Sequence, residues 1–202
     1  MNNFLNYLYA YSPAWLQNIG VSLFGYVWYK NRFGGVFKEE VKVFKSREKW
    51  SSSQFNSYKL EQFRKIVIHA LENVAYYRQF YAEHSITKEQ VENMSLDEVS
   101  RIPFLEKNAL RLYGESTLMA DGYTKNGTFH SSSGSTGTPT KIYFSKVTHQ
   151  RWSAAFEVRI RHWAGIDYKT PRGMIGGRRV LPNASDGPPY YRFNLVEKQV
   201  YY

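Results

Sequence analysis

The chain predicts an α/β fold: a helical N-terminal region followed by mixed α/β structure. Three features predict it. Residues 1–29 are aromatic-rich and carry no charged side chain. Apolar residues recur at three- and four-residue steps from Leu60 to Tyr81 and again from Val147 to Ile166, the period of a helix with one apolar face. Between these stretches lies a connection, 132–140, made only of Ser, Thr, Gly and Pro, with β-prone residues on either side. The expected organisation is an aromatic-rich helical or extended region over 1–59 and an α/β region over 60–202.

The first 29 residues support two readings. Pro13 to Tyr29 contains Gln17, Asn18, Gly20 and Gly25 and is short for a hydrocarbon core of roughly 30 Å, so a spanning helix fits least well. No Lys or Arg precedes it, so the basic start of a signal peptide is missing. The run Tyr26-Val27-Trp28-Tyr29-Lys30-Asn31-Arg32 is aromatic and basic, a composition that favours the headgroup layer of a membrane. One reading packs these residues on their own domain. The other lays residues 1–32 in a membrane interface.

From Leu60 the apolar positions Phe63, Val67, Ala70, Leu71, Val74, Tyr77 and Tyr81 predict one amphipathic helix. Thr87 with Gln90, and Ser95 with Glu98, have the spacing of capping boxes. Pro103 ends the helical pattern. Later, Trp152, Phe156, Ile160 and Trp163 predict a helix with a heavy apolar face, with Arg151, Arg159, Arg161 and His162 on its solvated sides. His69 and His84 read as helix-surface or satisfied core residues. His149 and His162 lack metal-ligand spacing, His130 abuts the hydroxylic loop, and no carboxylate pair has the look of an acid–base dyad.

Composition bounds the chemistry. A hydrophobic fraction of 43% with 22% charged residues excludes a disordered chain. The absence of cysteine excludes disulfides, thiolate metal sites and a thiol nucleophile. The net charge of +10 is uneven: residues 30–140 hold 16 Lys and Arg against 13 Asp and Glu, and residues 141–202 hold 11 against 4. Such an excess draws nucleic acid, anionic lipid or a phosphorylated small molecule.

The chemistry-bearing segment is Thr128-Phe129-His130-Ser131 followed by Ser132 to Thr140 and then Lys141-Ile142-Tyr143-Phe144. Gly134 and Gly137 allow close backbone approach to a ligand. Successive amides in such a loop make an anion-binding concavity, and Ser133, Ser135 and Thr136 add hydroxyl donors. Lys141 closes the loop with a positive charge. The spacing is not a Walker A loop, because the fifth residue after Gly134 is Pro139 rather than the glycine of a Gly-Lys pair. Composition alone leaves a plain turn and a phosphate cradle both open.

Ser132-Ser133-Gly134-Ser135-Thr136-Gly137-Thr138-Pro139-Thr140 resembles the phosphate-binding signature of the adenylate-forming enzymes, most closely the phenylacetate–CoA ligase family and its CapK-like capsule-biosynthesis branch. His69 to Arg78 resembles that family's "hA…vpyYr" helix, and Ile102 to Lys107 its "lPfltK" segment. Gly176 to Arg179 and Pro188 to Asn194 are similar to segments of the CapK-like branch. The resemblance implies that residues 60–202 are the first part of an AMP-binding α/β domain. It implies activation of a small carboxylate by ATP with Mg2+, then transfer to CoA or another acceptor, in the cytoplasm or at the inner membrane face. Carried over by position, Ser132, Ser133, Gly134, Ser135, Thr136, Gly137, Thr138 and Lys141 form the phosphate site. Where many members have Lys, this chain has Thr138.

Members of the family are longer and continue into a ribose-binding site and a lid with a catalytic Lys, expected beyond residue 202. The resemblance therefore implies an N-terminal fragment that is inactive alone. The rival reading is a basic, aromatic-rich protein that binds nucleic acid or an anionic membrane without catalysis. Its weakness is that no RNA-recognition motif, helix-turn-helix or zinc finger accompanies the charge.

Overall fold

The structure, a computed structural model, describes residues 3–123, 126–132, 139–175 and 188–202. It is mixed α/β and divides into two compact units, Ser46–Lys146 and a second formed by Met1–Lys45 with Val147–Tyr202.

The first unit is built on α4 (Ser52–Asn73), α5 (Ala75–Glu83), α6 (Lys88–Asn93), α7 (Lys107–Tyr113) and the strands β1 (Thr128–Ser131) and β2 (Lys141–Phe144); the other elements, α1–α3, α8 and β3–β5, belong to the second unit. Ser51 starts α4 with a full capping box: its hydroxyl accepts from the Gln54 amide, and the Gln54 side chain accepts from the Ser51 amide at 2.8 Å. Thr87 and Gln90 do the same for α6. Ser95 and Glu98 make only half a box. The Glu98 carboxylate accepts from both the Ser95 amide and hydroxyl, and among the described residues no helical amide donates to that hydroxyl. These bonds, the amide first, hold the Glu98 carboxyl below the usual carboxylate range.

The single helix expected from Leu60 to Tyr81 is two. Val74 adopts an extended conformation, φ −122° and ψ 113°, and pairs with Ala120 as a β-bridge. The Asp121 amide donates to Asn73 O at 2.6 Å and the Tyr76 amide to Thr117 O at 3.0 Å. Arg78 ties the same strap down through Glu72 O and the Asp121 carboxylate. A β-branched residue suits an extended site, and the apolar repeat survives because both helices bury the same side. Val67, Ala70, Tyr81 and Val91 form the core. Burial, then the neighbouring Tyr77, pushes the Tyr81 phenol up to about 12.

The second unit holds α1 (Asn3–Tyr11), α2 (Ala14–Phe33), α3 (Phe37–Ser46) and α8 (Lys146–Phe156), which runs into a π-helical turn at Glu157–Arg161. Its sheet has the order β3 (Arg172–Met174), β5 (Gln199–Tyr201), β4 (Arg192–Asn194), with β3 parallel and β4 antiparallel to β5. Phe33, Phe37 and Ala154 are buried together, with the Tyr168 ring tilted against Phe33 at 4.7 Å between centroids.

α2 meets β4 with its polar side. The Asn18 side-chain oxygen Oδ1 accepts from the Phe193 amide at 2.9 Å, and the Ser22 hydroxyl accepts from the Leu195 amide at 3.0 Å. Gln17 accepts from Arg192 and donates to Tyr9 O and Ser12 O. Gly25 passes so close to the buried Asn194 carboxamide that a Cβ there would overlap it.

The expected apolar face of the second helical stretch is the exposed one. Trp152, Ile160 and Trp163 lie outside, Trp163 being 88% exposed, while Gln150, Ser153, Ala154, Glu157 and Val158 are buried. The reason is a buried carboxylate. Glu157 accepts from Arg161 and from the Tyr168 amide, both at 2.8 Å, with His162 Nε2 at 3.3 Å, and a carboxylate with three partners overrides the apolar pattern. Arg161 and His162 thus belong to this cluster rather than to a solvated face; Arg151, paired with Glu40, and Arg159 are on the exposed side as expected.

Two substitutions test this packing. Gly25→Ala should lower stability by about 1–3 kcal/mol in a urea melt, because Asn194 is pinned and cannot yield. Gly20→Ala, with only the Tyr9 ring at 3.8 Å, should be neutral or slightly stabilising.

Candidate functional site

The hydroxylic segment spans the turn of an antiparallel hairpin. Thr128 pairs with Phe144, and Ser131 with Lys141, so the residues expected to flank the loop as strands do so. Ser132 to Thr140 therefore joins two strand ends held side by side. The mouth is pinned again just beyond the strands. The Ser132 amide donates to Thr140 O at 2.9 Å, and the Thr140 amide donates to Ser132 Oγ at 3.0 Å.

The hairpin's far end is anchored by Tyr143. Its hydroxyl accepts from the Gly127 amide at 2.7 Å, and its ring meets Phe129 at 5.2 Å and Tyr123 at 5.4 Å. A Cβ on Gly127 would strike that ring, so glycine is required for this approach. His130, next to the loop, packs edge-on against Phe144 at 5.2 Å.

Lys141 follows the loop on β2 and bonds Glu115 at 2.7 Å. Glu115 is delivered by the end of α7, which begins at Lys107, the last residue of the Ile102–Lys107 segment. Both partners are about half exposed, and such a pair contributes only about 0–1 kcal/mol. Lys141 can therefore exchange Glu115 for a more highly charged anion at little cost.

Of the expected phosphate residues, Ser132 and Lys141 are described and stand on opposite sides of the hairpin mouth. Ser133, Gly134, Ser135, Thr136, Gly137 and Thr138 lie outside the described residues. Thr140 is an addition that composition did not single out. It is 5% exposed, and its Oγ1 has no hydrogen-bond partner among the described residues. A buried hydroxyl without a partner is costly, and this one sits at the base of the hydroxylic loop. Its burial comes from the hairpin and could not be read from its neighbours in the chain. Among the described residues no group of three or more His, Asp or Glu is placed to hold a metal ion.

No family model matches the chain. It is similar to the protein CapK of Staphylococcus aureus, 22% identical over 97% of this chain. It is also similar to phenylacetate-coenzyme A ligases of Aromatoleum evansii, 29% identical over 58% of the chain, and of Pseudomonas putida, 29% over 57%. The chain spans 41% of the length of the first relative and 26% of each of the others. The chain is thus similar to CapK over nearly its whole length and to phenylacetate-coenzyme A ligases over more than half of it.

Proposed function

We propose that the chain is the phosphate-binding part of an adenylate-forming ligase, which activates a small carboxylate with ATP and passes the acyl group to CoA or another acceptor. We assign residues 60–202 to the first part of the AMP-binding domain, and the reaction to the cytoplasm in surface or capsular polysaccharide synthesis. The observation that carries this reading is the hairpin: nine residues of Ser, Thr, Gly and Pro closed by strands in one register.

The residues fit a polyphosphate. Among the described residues Thr140 Oγ1 lacks a partner, Ser132 offers a hydroxyl at the mouth, and the Lys141 ammonium is held by an exposed ion pair. In the first step a carboxylate oxygen attacks the α-phosphorus of MgATP. The bond to the bridging oxygen breaks, giving acyl-adenylate and pyrophosphate. In the second step a thiol, amine or hydroxyl attacks the acyl carbon and AMP leaves. Ser133, Ser135 and Thr136 would donate to the β- and γ-phosphates, Gly134 and Gly137 would let the backbone come close, and Thr138 and Lys141 would complete the cradle. Their role is to position the triphosphate and stabilise charge moving onto pyrophosphate. Mg2+ arrives with ATP as part of the substrate.

The catalytic lysine of the lid is assigned beyond residue 202. The 202-residue chain alone should accordingly give no ATP–pyrophosphate exchange, and exchange above background with any carboxylate would overturn that assignment. Joined to the remainder of a ligase, Ser135→Ala with Thr136→Ala should lower kcat/KM for ATP in adenylation by roughly 10²–10⁴-fold, from two lost charge-assisted bonds. Thr140→Val should also lower it, while leaving the Tm unchanged or higher, since it removes a hydroxyl with no partner among the described residues. Ser53→Ala, on exposed helix surface, is the control; Ser51 is unsuitable because it caps α4. Activity within a few-fold of the parent in a folded loop variant would make the segment a turn and not a cradle.

A further inference from the structure

We propose that the outer face of α2, with α1 beside it, docks on an anionic membrane surface. The first observation is that α2 is inside out for a helix of a water-soluble protein. Its inner side is the buried Gln17, Ser22 and Gly25 with the half-buried Asn18, bonded to or packed against β4. Its outer side carries Trp15, Leu16, Ile19, Leu23, Phe24 and Val27, with Trp15 64% and Leu23 66% exposed. These positions follow one another at helical steps, so they form one continuous stripe. α1 extends it with Leu5, Leu8 and Tyr11, and an open apolar cleft of about 1100 Å³ runs between the two helices. A contiguous exposed apolar surface of this kind marks an interaction site.

The second observation is charge, and it selects the occupant. The hairpin of α1 and α2 has no charged residue before Lys30. The unit that contains it has fourteen Lys and Arg against six Asp and Glu, a net +8 of the chain's +10. At the end of α2 the apolar stripe gives way to Tyr26 and Lys30, whose ammonium lies 4.8 Å over the Tyr26 ring. An aromatic ring and a cation beside an apolar stripe suit the headgroup layer in which a helix lying in the interface plane sits. An anionic bilayer satisfies both the stripe and the charge. A second copy of this chain would bring two units of +8 together and is disfavoured by repulsion. Among the described residues no helix is long and apolar enough to cross a membrane, so the hairpin lies on the surface. This inference does not depend on the ligase reading.

The test is co-sedimentation of the chain with phosphatidylcholine vesicles, with or without about 30 mol % phosphatidylglycerol. Binding should require phosphatidylglycerol and weaken as salt rises from about 0.1 to 0.5 M. Leu16→Gln with Leu23→Gln should cut the partition coefficient at least roughly tenfold, without changing the circular dichroism, because both side chains point away from the core. Trp15→Ala is a second variant on the same face with the same expectation. Lys30→Gln should lose a few-fold, on anionic vesicles only. A folded chain that ignores anionic vesicles would overturn the proposal. So would stripe variants that bind like the parent, which would reduce the binding to adsorption by charge. A dimer in light scattering that the double variant dissolves, with no vesicle binding by either, would assign the face to a second copy and overturn it as well.

Discussion

The bond pattern between α2 and the edge of β4 governs the unit that contains them. An edge strand presents unpaired amides, and here a helix supplies the acceptors. Asn18 and Ser22 are one helical turn apart, about 6.0 Å along the axis. The amides they bond, of Phe193 and Leu195, are two strand residues apart, about 6.7 Å. The near match lets two side chains substitute for a neighbouring strand. Everything close by follows from it. Gly25 must be glycine so that Asn194 fits. Asn194 then donates to Glu197 at 3.1 Å and accepts from its amide, and Glu197 in turn binds Arg32 near the end of the same helix.

Buried carboxylates set the orientation of α8 in the same way. Glu157 and Glu197 are each almost fully buried, and a buried charge persists only when paired and hydrogen-bonded. Arg161 and the Tyr168 amide meet Glu157 from the π-helical turn and the segment after it, which turns the helix so that Trp152 and Ile160 face outward. Two helices of one unit thus bury polar side chains and expose large apolar ones.

Much of the first unit was legible in the sequence. The capping residues of α6, the apolar side of α4 and α5, and the two strands around the hydroxylic loop all rest on local signals: side chains bonding nearby amides, and spacing along one element. The break at Val74 was not legible, because the strap at Thr117–Asp121 that makes it lies more than forty residues away. The orientation of α2 and α8 was hidden for the same reason. Periodicity shows that a helix has two unlike faces, but only the partner decides which is buried, and the partners of Asn18 and Glu157 are remote or specific polar groups. Of the candidate site, the residue types and the two flanking strands were readable. The Thr140 hydroxyl, without a partner among the described residues, was not, since its burial is a property of the folded hairpin.

The register of Ser131 with Lys141 has a consequence for how variation in this segment would be felt. It fixes both ends of a nine-residue connection at the separation of paired strand residues, about 4.5–5.5 Å. The entropy of closing such a connection grows only logarithmically, by about 0.6 kcal/mol for each doubling of its length. Inserting or deleting a residue there is nearly silent for stability, while it redirects every amide and hydroxyl that follows. Thermal stability is therefore blind to the length of this loop, and only its ligand can measure it.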